Sequence, residues 1–310
     1  MNLKKKENPQ WNYRGIIFLF FFLFFATGRA EGERTLQPSV DLYMEQTMKA
    51  LYAFNFEQAN TLSTEMILRF PNNYLSHFTR SQYLWWMIIT HPQNPRLEEA
   101  YYQSLKRSLS AIKPLINENH SYAHIFYFIN IYAMQARLFL DKKEYLRTIF
   151  SLKSCIDQIE ASIGKEEVYL PFNLSSGMYN YMLEYARQKY PFLALYTLLY
   201  PRGDRELGLE QLHTAARSDH FIWRTEAGYL LMRIYLDLEQ QPEKALPLLR
   251  ALLEEYPSNL IFRQHFVKIL ERMGEQVKAG EEKAALTRAT RMANELSEAQ
   301  RHHLLSVFGE

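Results

Sequence analysis

Apolar residues recur at three- and four-residue intervals along nearly the whole chain, and alternating runs are scarce. That period matches an α-helix rather than a strand. The spacing predicts helices over 41–53, 57–70 and 74–90, with Pro71-Asn72-Asn73 as a stop and Asn73 as the next cap. Asn94 followed by Pro95 is a cap and first-turn pair. It opens a helix to about Lys113 or Asn117, with an end or kink at Pro114. Segments 121–140 and 143–163 follow, and Gly164 fits a C-terminal stop. The stretch 168–177 carries Pro171, Asn173, Ser175, Ser176 and Gly177, all turn formers, and is expected to be an irregular connection. A second series covers 178–190, 192–199, 204–218, 223–238, 243–255 and 260–273, ended by Gly274. In the tail, Leu286, Ala289, Ala293 and Leu296 share one helical face, and Ser297 with Gln300 reads as a capping box. The expected fold is all-α. It divides into N-terminal helical repeats (31–167), the connection (168–177), C-terminal repeats (178–274) and amphipathic C-terminal helices (275–310).

One pattern occurs twice. Glu57-Gln58-Ala59 leads to Phe70-Pro71-Asn72-Asn73, and Glu243-Lys244-Ala245 leads to Tyr256-Pro257-Ser258-Asn259. Alanine and proline are twelve positions apart in both, which points to one structural unit used at least twice. The segment from Thr225 to Asn259 resembles a tetratricopeptide repeat, a pair of antiparallel helices in about 34 residues. Leu231 and Tyr235 match the leucine and large aromatic of the first helix. Gly228 stands where tryptophan is frequent, and Met232 where a small residue is preferred. In the second helix Ala245 matches the close-packing small residue and Pro257 the terminal proline. Leu249 takes an aromatic position and Leu252 a second alanine position. One extra residue is expected in the loop around 239–241. In the first copy Ala59 and Pro71 match the second helix. A fainter third copy covers 206–221, with Ala215 and Ala216 as packing positions. The resemblance implies an α–α superhelix, or solenoid, of antiparallel pairs with a concave surface lined by first helices. It places Glu226, Tyr229 and Arg233 on that groove and implies a protein or peptide partner.

The N-terminus changes the reading of charge. Lys4, Lys5, Lys6 and Arg14 precede an apolar run from Gly15 to Ala26, and Gly28-Arg29-Ala30 supplies small residues for cleavage. This is the layout of a secretory signal peptide over 1–30. Export to a periplasmic or extracellular space is therefore expected, with membrane contact only through 15–26 if the signal is retained. The chain is +2 overall, and removing those residues leaves it at −2, with no basic footprint for nucleic acid. Cys155, the single cysteine, excludes an intramolecular disulfide. Its apolar helical setting reads as a small buried hydrophobe. The 21 tyrosines and 20 phenylalanines suit the wide grooves between stacked helices.

Searches for catalytic chemistry return packing residues. His120 and His124 share a helix face, but no acidic residue stands between them as in HExxH. His302 and His303 diverge on a helix. Ser175-Ser176-Gly177 lacks the frame of a nucleophile elbow, and Gly203, Asp204 and Gly208 do not form a phosphate loop. Glu254-Glu255 and Glu281-Glu282 read as solvated faces, and Tyr83 to Ile89 as core. No cofactor, metal or catalytic residue is expected. The sequence points to an exported, non-catalytic scaffold that binds a peptide or protein. The alternative is a helical protein of an envelope uptake system that binds a small molecule or glycan through its aromatic residues.

Overall fold

The computed structural model describes residues 38–91, 94–119, 121–189 and 200–308. The signal peptide expected at 1–30, the helix expected at 192–199 and His120 lie outside them. The described residues form thirteen α-helices and no strand. In order they are α1 (Pro38–Tyr52), α2 (Phe56–Arg69), α3 (Tyr74–Thr90), α4 (Pro95–Asn119), α5 (Tyr122–Asp141), α6 (Tyr145–Ser162) and α7 (Phe172–Lys189). There follow α8 (Arg205–Ala216), α9 (Phe221–Arg233), α10 (Pro242–Glu255), α11 (Leu260–Arg272), α12 (Gln276–Met292) and α13 (Glu298–Phe308). Successive helices pack on one another along the whole series, and most connections are short enough to make neighbours antiparallel. The arrangement is consistent with a helical solenoid.

Two layers follow from the burial pattern. The even-numbered α2, α6 and α10 each bury one stripe, such as Phe56, Ala59, Ser63 and Met66 of α2. The odd-numbered α3, α5, α7 and α9 are buried on most of their circumference. A helix enclosed on all sides belongs to the interior. The odd helices form an inner layer, with α1 also touching α3 and α5 touching α7.

The duplicated sequence pattern is duplicated in backbone geometry. Phe70 ends α2 at φ −131°, ψ 60°, and Tyr256 ends α10 at φ −130°, ψ 67°. The side chains of Asn73 and Asn259 then cap α3 and α11. The inner-to-outer turns share another device, a left-handed residue: Phe54, Lys143, Gln240 and Gly274 have φ of 64°, 60°, 54° and 80°. Beside three of them the same turn closes with Asn55 N donating to Ala50 O, Glu144 N to Phe139 O, and Glu275 N to Leu270 O, at 2.8–2.9 Å. Beside Gln240 the bond spans one residue more, from Gln241 N to Tyr235 O at 2.7 Å.

That difference corrects the expected loop insertion. The extra residue is taken up inside the helix, as a π-turn over Ile234–Leu238 closed by Glu239 N donating to Ile234 O at 3.0 Å. Two further expectations are revised. α4 runs through Pro114, which sits on the exposed side, where water can reach the carbonyl that the ring leaves unpaired. α7 starts at Phe172, inside the stretch expected to be irregular, and buries Ser175, Ser176 and Gly177. A Cβ on Gly177 would lie 3.0 Å from Gly208 O, and one on Gly208 would lie 2.5 Å from Tyr181 N. These turn-forming residues instead let α7 and α8 meet backbone to backbone.

The two ends of the series also meet. Asn259 Nδ2 donates to Tyr52 O at 2.9 Å and Ser258 Oγ to Ala53 O at 2.7 Å. Gln300 of α13 donates to Thr90 Oγ1 of α3 at 2.9 Å. Phe126 of α5 meets Trp223 of α9 edge-on at 5.3 Å. One continuous hydrophobic core runs from Val40 to Phe308.

Candidate functional site

Glu226, Tyr229 and Arg233 fall on one stripe of α9, at three- and four-residue spacing. All three are buried, at 4%, 4% and 6% exposure. Each reaches a different neighbour. Glu226 faces α1, where the Tyr52 hydroxyl donates to its Oε1. Tyr229 faces α11, its hydroxyl 3.0 Å from His265 Nε2. Arg233 donates Nε to Asp237 of the π-turn at 2.6 Å and Nη1 to the Tyr229 hydroxyl at 3.3 Å. Arg272 of α11 completes the set by donating to Leu236 O and, at 3.3 Å, to Asp237. The π-turn is thereby pinned to α11.

The electrostatics follow from burial. Desolvation pushes the Glu226 carboxyl up to about 8, against a smaller opposing pull from the Tyr52 hydroxyl. Among the described residues no ion pair reaches it. Desolvation also drives His265 well below the usual histidine range, with Arg233, Lys268 and Arg272 adding to it. With Tyr229 accepting from Arg233, its own proton is available to His265 Nε2, so the imidazole is neutral and acts there as an acceptor. Arg137 of α5 lies over the Trp85 ring, 3.5 Å from its centre. Its burial brings it down to about 10, so it keeps its charge at neutral pH.

Beside Glu226 is a cavity of about 10 Å³, lined by Tyr52, Trp86, Thr225, Glu226, Tyr229 and Phe262. That is roughly the space of one water molecule. The face of α9 that carries the stripe is thus filled by the chain itself, from the end of α1, α3, α11 and the π-turn.

Ala59, Leu231 and Ala245 are fully enclosed and Tyr235 is 7% exposed, while Pro71 and Pro257 lie exposed in the matched turns. Ser297 and Gln300 form the expected capping box, Ser297 N donating to Gln300 Oε1 at 3.0 Å and Gln300 N to Ser297 Oγ at 3.3 Å. Asp204 caps α8. His124 packs edge-on against Tyr74 at 5.5 Å, and Leu84, Trp85 and Trp86 are core. Cys155 is buried, its thiol pushed up to about 12 by desolvation. Among the described residues no group of three or more histidines, cysteines or carboxylates could hold a metal ion, and no helix is long and apolar enough to cross a membrane.

Tyr52, Asp237 and His265 were not singled out by the sequence. Tyr52 meets Glu226 across 174 positions, and no local pattern carries a pairing of that range. No family model matches the chain, and neither the curated proteins nor the solved structures yield a match.

Proposed function

We propose that this protein is a tetratricopeptide-like scaffold that binds a peptide or protein partner on the concave side of its inner helices. The observation that supports it most is the repeated unit: Ala59 with Pro71 and Ala245 with Pro257 occupy equivalent helices ended by near-identical backbone turns. Arrays of this kind recognise partners along the inner layer. The stripe of Glu226, Tyr229 and Arg233 lies on that layer but is enclosed by the chain's own side chains, and the exposed Lys268 and half-exposed Arg272 are the polar groups open to a partner beside it. The chain acts without catalysis of its own. A small-molecule or glycan site is the lesser reading, because the cavity at Glu226 has room for only about one water. The pattern of 1–30 supports export, which N-terminal sequencing of the secreted protein tests.

Partner capture with the full chain, followed by hydrogen-exchange mapping, tests the groove. Added protection on α9 and α11 is expected. Protection confined to outer helices, such as the exposed face of α6 with Leu146 and Phe150, would move the binding surface away from the concave side.

A further inference from the structure

Side chains of α1 reach the first turns of α9 at His220, Phe221 and Glu226, and the last of these is a buried acid. Tyr52 is the last residue of α1. Its ring packs on Trp86, Phe221 and Tyr256 at 6.4, 6.4 and 5.2 Å. Its hydroxyl ends on Glu226, and its carbonyl accepts from Asn259. One side chain therefore ties the first helix of the series to the helices on either side of the later repeat.

The surroundings of Glu226 offer no compensating charge. α1 presents Tyr52; nearer its middle, Glu45 and Lys49 meet His220 and Phe221 at the start of α9. α3 presents only Trp86 and Ile89 to the cavity. On α9 itself the near titratable group is Tyr229. The end of α10 brings Tyr256 and Glu255, the latter paired with Arg224 at 3.2 Å. α11 brings Ile261 and Phe262, with His265 one hydrogen bond further, behind Tyr229. A carboxylate in this box would have the Tyr52 hydroxyl and space for about one water but, among the described residues, no cation, and burying such a charge is unfavourable. The carboxylic acid meets no such penalty.

We propose that Tyr52 and Glu226 form a latch that closes the concave face of the array, and that loss of the Glu226 proton releases it. An ionised Glu226 must recruit water, and the nearest space is the cavity between α1, α3, α9 and α11. Hydrating it parts α1 from α9 and uncovers Tyr52, Trp86, Tyr229 and Phe262 together. The latch does not depend on what the groove binds. The same ionisation explains why its release belongs near the titration of the folded carboxyl rather than near that of a free glutamate.

The test uses the full chain and needs no partner. Hydrogen exchange along α1 and α9 and small-angle scattering are followed from pH 6 to pH 10 for the wild type and for Glu226→Gln, whose amide cannot ionise. The wild type should lose protection on both helices, and expand, as pH rises towards about 8 and then level off; Glu226→Gln should stay closed throughout. Tyr52→Phe, which removes the hydroxyl that forms the latch, should exchange faster than the wild type along α1 and α9 at pH 6, where Glu226 is protonated; unchanged protection there would overturn the latch. A wild type indifferent to pH over this range, or a Glu226→Gln chain that opens at the same pH, overturns the latch. So does an infrared carboxyl band showing Glu226 ionised at neutral pH in the closed form.

Discussion

Glu226 titrates near 8 when folded, against a reference of 4.5. Between those values the folded chain holds one more proton than the unfolded chain. Stability conferred by that proton is complete below 4.5, falls as pH rises, and is gone above 8. The slope is about 1.4 kcal/mol per pH unit. Two histidines act in the opposite sense at lower pH. His220 is pushed down to about 4 by burial and by Arg224 and Lys49, and His265 is held well below the usual histidine range by burial in the core. Each binds a proton more readily unfolded, so each adds stability as pH rises towards 6.5. Denaturant titrations between pH 6.5 and 8 should therefore show wild-type stability falling with that slope. The Glu226→Gln chain should be nearly level over the same interval. A wild-type curve as flat as the variant's would mean that Glu226 is already ionised in the fold.

At the scale of elements, glycines that look alike in the sequence have opposite roles. Gly208 of α8 meets α7 so closely that any Cβ must displace Tyr181 N and Gly177 O, which would lie at 2.5 and 2.7 Å. Gly280, inside α12, has nothing within 4 Å of its would-be Cβ. Gly208→Ala should lower the unfolding free energy by about 1–3 kcal/mol, as overpacking does. Gly280→Ala should raise it by about 0.5–1 kcal/mol by removing helix-interior flexibility. Equal effects in thermal or urea unfolding would contradict the close α7–α8 crossing. The same reasoning explains which elements were legible. Helix periodicity and the caps at Asn73, Asn94 and Ser297 are local and readable. The helical state of 172–177 was not, because its serines and glycine are selected by a partner helix thirty residues away. The π-turn was equally hidden: an extra residue can lengthen a loop or widen one turn of a helix, and Arg233 and Arg272 on Asp237 favour the second.

At the scale of the molecule, the series of helices touches itself. Asn259 shows the added demand. Its Oδ1 caps α11 by accepting from Ile261 N and Phe262 N, while its Nδ2 holds Tyr52 O. Asn73, its counterpart in the first copy, caps α3 through Leu75 N. Asn73→Ala should cost about 1 kcal/mol, the usual value of a lost cap. Asn259→Ala loses the cap and a buried interhelical bond, and should cost about twice as much. It should also speed hydrogen exchange on α1, which is remote in sequence. Matched costs with α1 undisturbed would leave the two ends uncoupled.

The sequence by itself determined the helices, their small-residue packing positions and the recurrence of one unit, because each depends on spacings of a few residues. The resemblance to a tetratricopeptide repeat also marked Glu226, Tyr229 and Arg233 as groove residues. Only the tertiary structure decided what that stripe faces. The positions of the inner helices sum small rotations from pair to pair, so whether the first helix returns to the later repeat is fixed by the whole array. That return places Tyr52 on Glu226, and so turns a stripe readable as an open groove into a buried contact.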